Sequence, residues 1–237
     1  MTPAKHVVIT GISQGIGRQT AYELVRAGCH VYGNVRREKD IDPLLADLSV
    51  TERERLVVAA CDLSSREQIE RWIVQSLDRV PVDALINNAG TGRLTAFEEV
   101  SLAEWDDLLQ VNLTSSFRLA QWAFASMKRR QTGGLILQIG SLASIPGMEK
   151  FPGFAAYTAS KYAAAGLSEQ IAYEGKSYQI RSLCLSPGAV DTRLRQRMAP
   201  HLKERLMQPE EIARMIKELV LNQHLPLNGV NLPVYKW

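Results

Sequence analysis

The chain is poor in the residues that build metal centres, disulfide frameworks and membrane spans. Its three cysteines, Cys29, Cys61 and Cys184, stand alone without C-x-x-C spacing, each in or beside an apolar run. That pattern predicts buried structural thiols in a reducing compartment. The four histidines, His6, His30, His201 and His224, make no H-x-x-x-H pair, so no two ligands share a helical face and no metal site is expected. Nowhere do about 18 apolar residues run together. The chain also reaches the strand-like Val7 without a signal-type apolar segment, so no membrane partner and a cytoplasmic location are expected. Charge of one sign is lacking as well: 28 Lys and Arg against 25 Asp and Glu leave +3, too little and too dispersed to suggest a nucleic-acid partner. Linkers, internal repeats and low-complexity tracts are absent. With 46% hydrophobic residues over 237 positions, one domain spanning 1–237 is expected.

What is present is a rhythm. Short apolar runs at 6–10, 30–34, 56–60, 84–87, 135–139, 181–185 and 230–234 alternate with longer amphipathic stretches. The runs are continuously apolar rather than alternating, as in parallel strands covered on both faces. This predicts an α/β fold: a single-domain, Rossmann-like, doubly wound parallel sheet of about seven strands flanked by helices. Ser64 with Glu67 and Ser101 with Glu104 have the S-x-x-E spacing of a capping box, Pro209 suits a first helical position, and 102–128 reads as one long helix. Two segments read as working loops, 142–154 and 187–208.

Directly after the first run comes Thr10-Gly11-Ile12-Ser13-Gln14-Gly15-Ile16-Gly17, followed by a helical pattern that ends near Gly28. Glycines let the backbone approach a pyrophosphate, whose charge then meets the free N–H groups of a helix start. Further on stand Asn87-Asn88-Ala89-Gly90, Asn112, Ser141, Tyr157-Thr-Ala-Ser-Lys161 and Pro187-Gly188. In this order the motifs resemble the classical short-chain dehydrogenase/reductase (SDR) family, whose glycine motif is T-G-x-x-x-G-x-G. The resemblance covers almost the whole chain. It implies an NAD(P)-dependent oxidoreductase in which Gly11, Ser13, Gln14, Gly15, Ile16, Gly17, Asn88, Ala89 and Gly90 hold a dinucleotide. It also implies that Val190 and Thr192, beyond the Pro187–Gly188 turn, contact the nicotinamide carboxamide.

The second run ends Asn34-Val35-Arg36-Arg37, with Val35 where NAD-preferring relatives usually carry aspartate. No carboxylate opposes a 2′-phosphate there, and two guanidinium groups can clamp one, so NADP(H) is preferred, with NAD(H) possible. Against this, Arg36 and Arg37 also suit a solvated turn, and Gln14 stands where many NADP-using relatives place a basic residue. Asp62, followed by Leu63, matches the residue that bonds adenine in the family, or else caps a helix start.

Tyr157 and Lys161, four apart at a helix start, project from one face. A neighbouring ammonium and an oxidised nicotinamide both favour phenolate, so the phenol is expected to be more acidic than a free tyrosine and to trade a proton with an alkoxide. By resemblance, Lys161 also bonds the nicotinamide ribose, Ser141 polarises the substrate oxygen and Asn112 orders a proton-carrying water chain. Ser141 precedes Tyr157 by 16 positions, longer than the family's usual interval, which would select Ser144. Ser141 is preferred because a strand end fixes its hydroxyl. The extra residues fall in the 145–153 loop, where Met148, Phe151 and Phe154 either line a substrate site or pack beneath it.

A lid is expected at about 188–208. Its Arg193, Arg195, Arg197, Lys203 and Arg205 suit either an acidic substrate or a solvated helix. The atypical ending Pro233-Val-Tyr-Lys-Trp237 replaces the D-G-G of many relatives. The reading is thus a small-molecule carbonyl/alcohol oxidoreductase, most readily an NADPH-dependent reductase of a ketone or 3-oxo carbonyl or the reverse oxidation. By resemblance, the 102–128 helix implies a homodimer or homotetramer. A catalytically idle dinucleotide sensor, or an epimerase or dehydratase on the same frame, is the alternative.

Overall fold

The computed structural model describes residues 4–198, 205–222 and 224–236. Seven strands form one sheet: β1 (His6–Ile9), β2 (His30–Val35), β3 (Leu56–Ala60), β4 (Ala84–Asn87), β5 (Gly134–Ile139), β6 (Ile180–Pro187) and β7 (Asn231–Val234). Every pairing is parallel and the order is β3-β2-β1-β4-β5-β6-β7. The continuous apolar runs have a direct cause. Val7 and Ile9 face one core layer and Val8 the other; Ala84 and Ile86 oppose Leu85, and Leu135 and Leu137 oppose Ile136 in the same way. Both faces of the sheet therefore carry buried side chains, each contributing about 1.5–3 kcal/mol when fully removed from water.

Nine α-helices connect and cover the strands: α1 (Gly15–Arg26), α2 (Ile41–Leu45), α3 (Val50–Arg53), α4 (Arg66–Trp72), α5 (Leu102–Leu109), α6 (Ser115–Arg130), α7 (Ala155–Gly175), α8 (Arg193–Met198) and α9 (Pro209–Leu221), counted among the described residues. Helix α1 stops at Gly28, whose φ of +87° lets Cys29 N–H reach Leu24 O at 3.0 Å. Helix α9 starts on Pro209, with Glu211 accepting from Gln208 N–H at 2.7 Å, and buries Ile212, Ala213, Ile216, Leu219 and Val220 against the layer that holds Leu24. The order of strand addition reverses between β1 and β4, with β2 and β3 laid to one side and β4 to β7 to the other, so a crevice opens at their carboxyl ends.

Three local expectations are corrected. Helix α4 is capped by Ser65, which accepts from Gln68 N–H at 3.2 Å. Ser64 is instead captured by Asp62, donating its N–H and hydroxyl to Oδ1 at 3.0 and 2.8 Å. This local turn moves the helix start one residue on. Ser101 does cap α5, but the Glu104 carboxylate takes the Thr95 hydroxyl at 2.8 Å instead of closing a box. The expected 102–128 helix runs on to Arg130 and is interrupted by a π-turn at Gln110–Thr114.

Candidate active site

The phosphate loop is assembled by side chains that hold its backbone from beneath. Thr10 Oγ1 accepts from Asn88 N–H at 3.0 Å and Ala89 N–H at 2.9 Å, and Asn88 Nδ2 donates to Thr10 O at 2.8 Å, so the ends of β1 and β4 are laced together. Asn34, buried at the end of β2, accepts from Gly11 N–H at 3.0 Å and donates to Cys61 O at 2.8 Å. Gly11 adopts φ +72°, and a Cβ there would lie 3.0 Å from Ala89. At Gly17 a Cβ would collide with Gly11 O and Asn88 Nδ2. These positions accept only glycine.

The loop delivers an unsatisfied helix start. Gln14 precedes α1 in extended conformation without a side-chain cap, and no acidic residue occupies the first turn. The orphan N–H groups beside Gly15, Ile16 and Gly17 and the positive helix end fit the pyrophosphate of a dinucleotide. Thr192 folds back to this point: a Cβ on Gly15 would meet Thr192 Cγ2 at 3.2 Å, while the Thr192 hydroxyl accepts from Arg195 N–H at 3.2 Å. Pro187 closes β6, Gly188 N–H donates to Val234 O at 2.8 Å, and buried Val190 pairs with Met207. Of the expected lid, residues 199–204, with Lys203, lie outside the described residues.

Around the end of β2, Arg36 Nε donates to Asp62 Oδ2 at 2.8 Å, and Arg37 reaches both oxygens of Asp40 at 3.1 Å. Both guanidinium groups are exposed and both carboxylates half-buried, and such solvent-facing pairs contribute little and exchange readily for a stronger anion. Asp62 thus holds the turn ahead of α4. Leu63 follows, buried, its carbonyl accepting from Gln110 Nε2 at 3.3 Å.

Across the crevice lie the four polar residues. Asn112 sits in the π-turn, whose widened ladder turns the buried carboxamide inward: Oδ1 accepts from Thr91 N–H at 2.8 Å, and Nδ2 donates to Thr91 O at 2.9 Å and Ser160 Oγ at 3.0 Å. Lys161, 5% exposed, donates to Ile139 O at 2.8 Å and stands 5.7 Å from the centre of the Tyr157 ring. Burial lowers its pKa to about 8. Ser141 follows β5, capping a short turn through Ala143 N–H at 3.2 Å, and its hydroxyl stands near enough to the Tyr157 phenol to favour the phenolate. Ser144 points elsewhere: its buried hydroxyl donates to Ser141 O at 2.7 Å and faces Ser186 at 3.3 Å.

The Lys161 ammonium does not by itself make the phenol acidic. Burial pushes the Tyr157 pKa up, and the Ser141 hydroxyl opposes it only in part. The ammonium lies over the ring face and spends its bond on Ile139 O rather than on the phenol oxygen.

The 145–153 loop closes one side. Phe154 packs edge-on to Tyr157 with ring centres 6.0 Å apart, and Phe151 to Phe154 at 5.9 Å. Met148 sits in the bend, its N–H reaching Ile145 O at 3.4 Å. The cysteines lie buried and free, away from any disulfide, and among the described residues no cluster of His, Cys, Asp or Glu could hold a metal. No described helix is long and apolar enough to cross a membrane.

Sequence reasoning missed Asn34, Thr10 and Ser160 as supports. Their common signal is a polar side chain closing an apolar run or facing one from a helix, where burial obliges it to find partners.

Crevice, uncapped helix start and paired hydroxyls define a dinucleotide-dependent oxidoreductase frame. Residues 5–203 match the short chain dehydrogenase family, and the chain belongs to it. It is an NAD(P)-dependent oxidoreductase acting on CH–OH/C=O groups. A 3-oxoacyl-[acyl-carrier-protein] reductase of Synechocystis sp. is 30% identical over 91% of this chain and 89% of its own length. A crystal structure of the 3-ketoacyl-(acyl-carrier-protein) reductase from Brucella melitensis complexed with NADH superposes with TM-score 0.86 at 23% identity, covering 97% of this chain and 96% of that one. ElxO with NADP bound gives TM-score 0.84 at 24% identity, over 98% and 97%.

Proposed function

We propose that the chain is an NADP-preferring reductase that converts a ketone or 3-oxo carbonyl to a secondary alcohol, or runs the reverse oxidation, with Asn112, Ser141, Tyr157 and Lys161 as its catalytic group. The observation that carries this reading is that Ser141 leaves the carboxyl end of β5 with its hydroxyl near the Tyr157 phenol, on the sheet whose β1 leads into the uncapped start of α1. A bound nicotinamide supplies or accepts hydride there. Ser141 Oγ holds the substrate oxygen and polarises it. In reduction the Tyr157 phenol gives that oxygen a proton; in oxidation it takes one. Lys161, whose pKa burial brings down to about 8, is charged at pH 7 and can give up its proton to reload the phenol. Asn112 fixes Thr91 and Ser160, the latter bonded to Tyr157 O at 2.7 Å, and so orients the start of the catalytic helix turn.

Phosphate preference rests on Arg36 and Arg37, with Val35 in place of a carboxylate. Their pairs with Asp62 and Asp40 compete with a 2′-phosphate, which makes the preference graded. Relatives of the same fold carry NADH in one case and NADP in another, so the end of β2 rather than the fold sets the choice. The segment 188–208 acts as the lid of a single domain, and the cytoplasm is the expected compartment. A homo-oligomer is supported by Phe97, Leu102 and Phe117, which are 79%, 81% and 47% exposed along the α5–α6 side.

Mixing the protein with NADPH or NADH and a panel of ketones tests the reading by loss of nicotinamide absorbance. Consumption faster with NADPH is expected, and Arg36→Asp should weaken NADPH binding at least tenfold more than NADH binding. Tight dinucleotide binding without turnover of any ketone would contradict the reductase reading.

A further inference from the structure

The wall beside the phenol is built of flat and soft apolar groups. Phe154 meets Tyr157 with ring planes at 72°, and Phe151 meets Phe154 at 61°, so three rings form an edge-to-face ladder that starts at the phenol ring. On another side, a Cβ on Gly92 would collide with the Met198 sulfur and come within 3.1 Å of Tyr157 Cδ2, so the thioether and the same ring both border Gly92. The ladder is held rigidly. Phe154 O accepts Thr158 N–H at 2.7 Å at the start of α7, Gly153 O accepts Thr95 N–H at 3.1 Å, and a Cβ on Gly153 would come within 2.6 Å of Leu94 Cδ1.

Two lysines near this wall are engaged by backbone carbonyls. Lys150 donates to Ile145 O at 2.8 Å and lies 5.3 Å from the centre of the Tyr162 ring, and Lys161 donates to Ile139 O. Aromatic faces and a polarizable sulfur favour a flat π-system over a branched aliphatic group of the same volume.

From this we infer that the substrate carries an aryl or similarly flat apolar arm on the reacting carbonyl, and that Phe154 and Met198 select it. The inference rests on the reductase reading for the reaction and on the wall alone for the arm. Because Phe154 touches Tyr157, the selection is read as a ratio between substrates, in which any common effect on the phenol cancels.

The experiment compares kcat/KM for acetophenone, cyclohexyl methyl ketone and acetoacetate in the parent, Phe154→Leu and Met198→Ala. In parallel, calorimetry measures binding of benzamide, an unreactive aryl probe. Phe151→Leu, which spares the ring touching Tyr157, guards against misfolding of the first variant. Acetophenone should lead cyclohexyl methyl ketone by about threefold to tenfold, the range of one aromatic contact, and Phe154→Leu should bring the two near parity. Acetoacetate favoured over acetophenone, or a ratio that Phe154→Leu leaves unchanged, would overturn the inference. If no ketone is reduced, the reductase reading fails while the wall is still judged by benzamide: binding weakened severalfold in Phe154→Leu upholds it, and unchanged or absent binding overturns it.

Discussion

Replacing Lys161 by methionine should make the ligand-free protein more stable at neutral pH while removing its turnover. Lys161 is 5% exposed, and burial brings its pKa from 10.5 down to about 8. Below pH 8 the ammonium is charged in both folded and unfolded chains, so folding carries the whole cost of burying it. At about 1.4 kcal/mol per pH unit, the interval between the two values amounts to about 3 kcal/mol. Between pH 8 and 10.5 the unfolded chain binds more protons than the folded one, so stability rises with pH through that window and the cost has vanished above it. Methionine fills similar space without charge but leaves Ile139 O, now bonded at 2.8 Å, without its donor, a loss of about 1 kcal/mol. The net expectation is a gain of about 2 kcal/mol at pH 7, or about 4–8 °C in melting temperature for a chain of this size. Urea unfolding of both proteins at pH 7 and pH 10 checks this, and the variant-minus-parent difference cancels the other titrating groups. The advantage should shrink and change sign at the higher pH. A variant less stable than the parent at pH 7, or a difference that ignores pH, would refute the reasoning.

The two serines are separated by function. Ser141→Ala should lower kcat by about a hundredfold with little change in melting temperature, since its hydroxyl meets the phenol. Ser144→Ala should leave kcat within a few fold and cost about 1 kcal/mol, because its bond goes to Ser141 O. Asn34→Ala should cost about 2–3 kcal/mol in urea titrations and weaken dinucleotide binding, as it orphans Gly11 N–H and Cys61 O together. Asn112→Ala should cost about 2 kcal/mol and lower turnover, visible as a loss in kcat larger than in KM, since Thr91 and Ser160 both lose their anchor.

Much of this architecture was legible because burial on two faces writes itself into the chain. The strands at Leu56–Ala60 and Ala84–Asn87 coincide with their apolar runs, and Gly28 ends α1 where a left-handed residue is required. Motif order brought the dinucleotide loop and the Ser141, Tyr157 and Lys161 positions to one edge. What could not be read depends on contacts between distant segments. The π-turn at Gln110–Thr114 adds an extra residue to a helical pattern that is otherwise uniform, and the bond from Thr91 N–H to the Asn112 carboxamide that goes with it spans a loop. Ser64 and Ser65 are equivalent as caps until Asp62 captures the first. The pairing of Arg36 with Asp62 joins the ends of two adjacent strands, which no local pattern announces. The phenol's environment was misjudged because proximity along a helix gives the Tyr157–Lys161 separation but not the carbonyl that claims the ammonium.

The central claim, that the Tyr157 phenol exchanges the proton that hydride transfer at the carbonyl requires, is tested most directly by Tyr157→Phe. Dinucleotide affinity and steady-state consumption of reduced nicotinamide with a ketone are measured on the same samples. The account predicts binding within about threefold of the parent and turnover lowered by about a thousandfold or more, at the upper part of the range for loss of a positioned acid. Ketone reduction by the phenylalanine variant at the parental rate would contradict it.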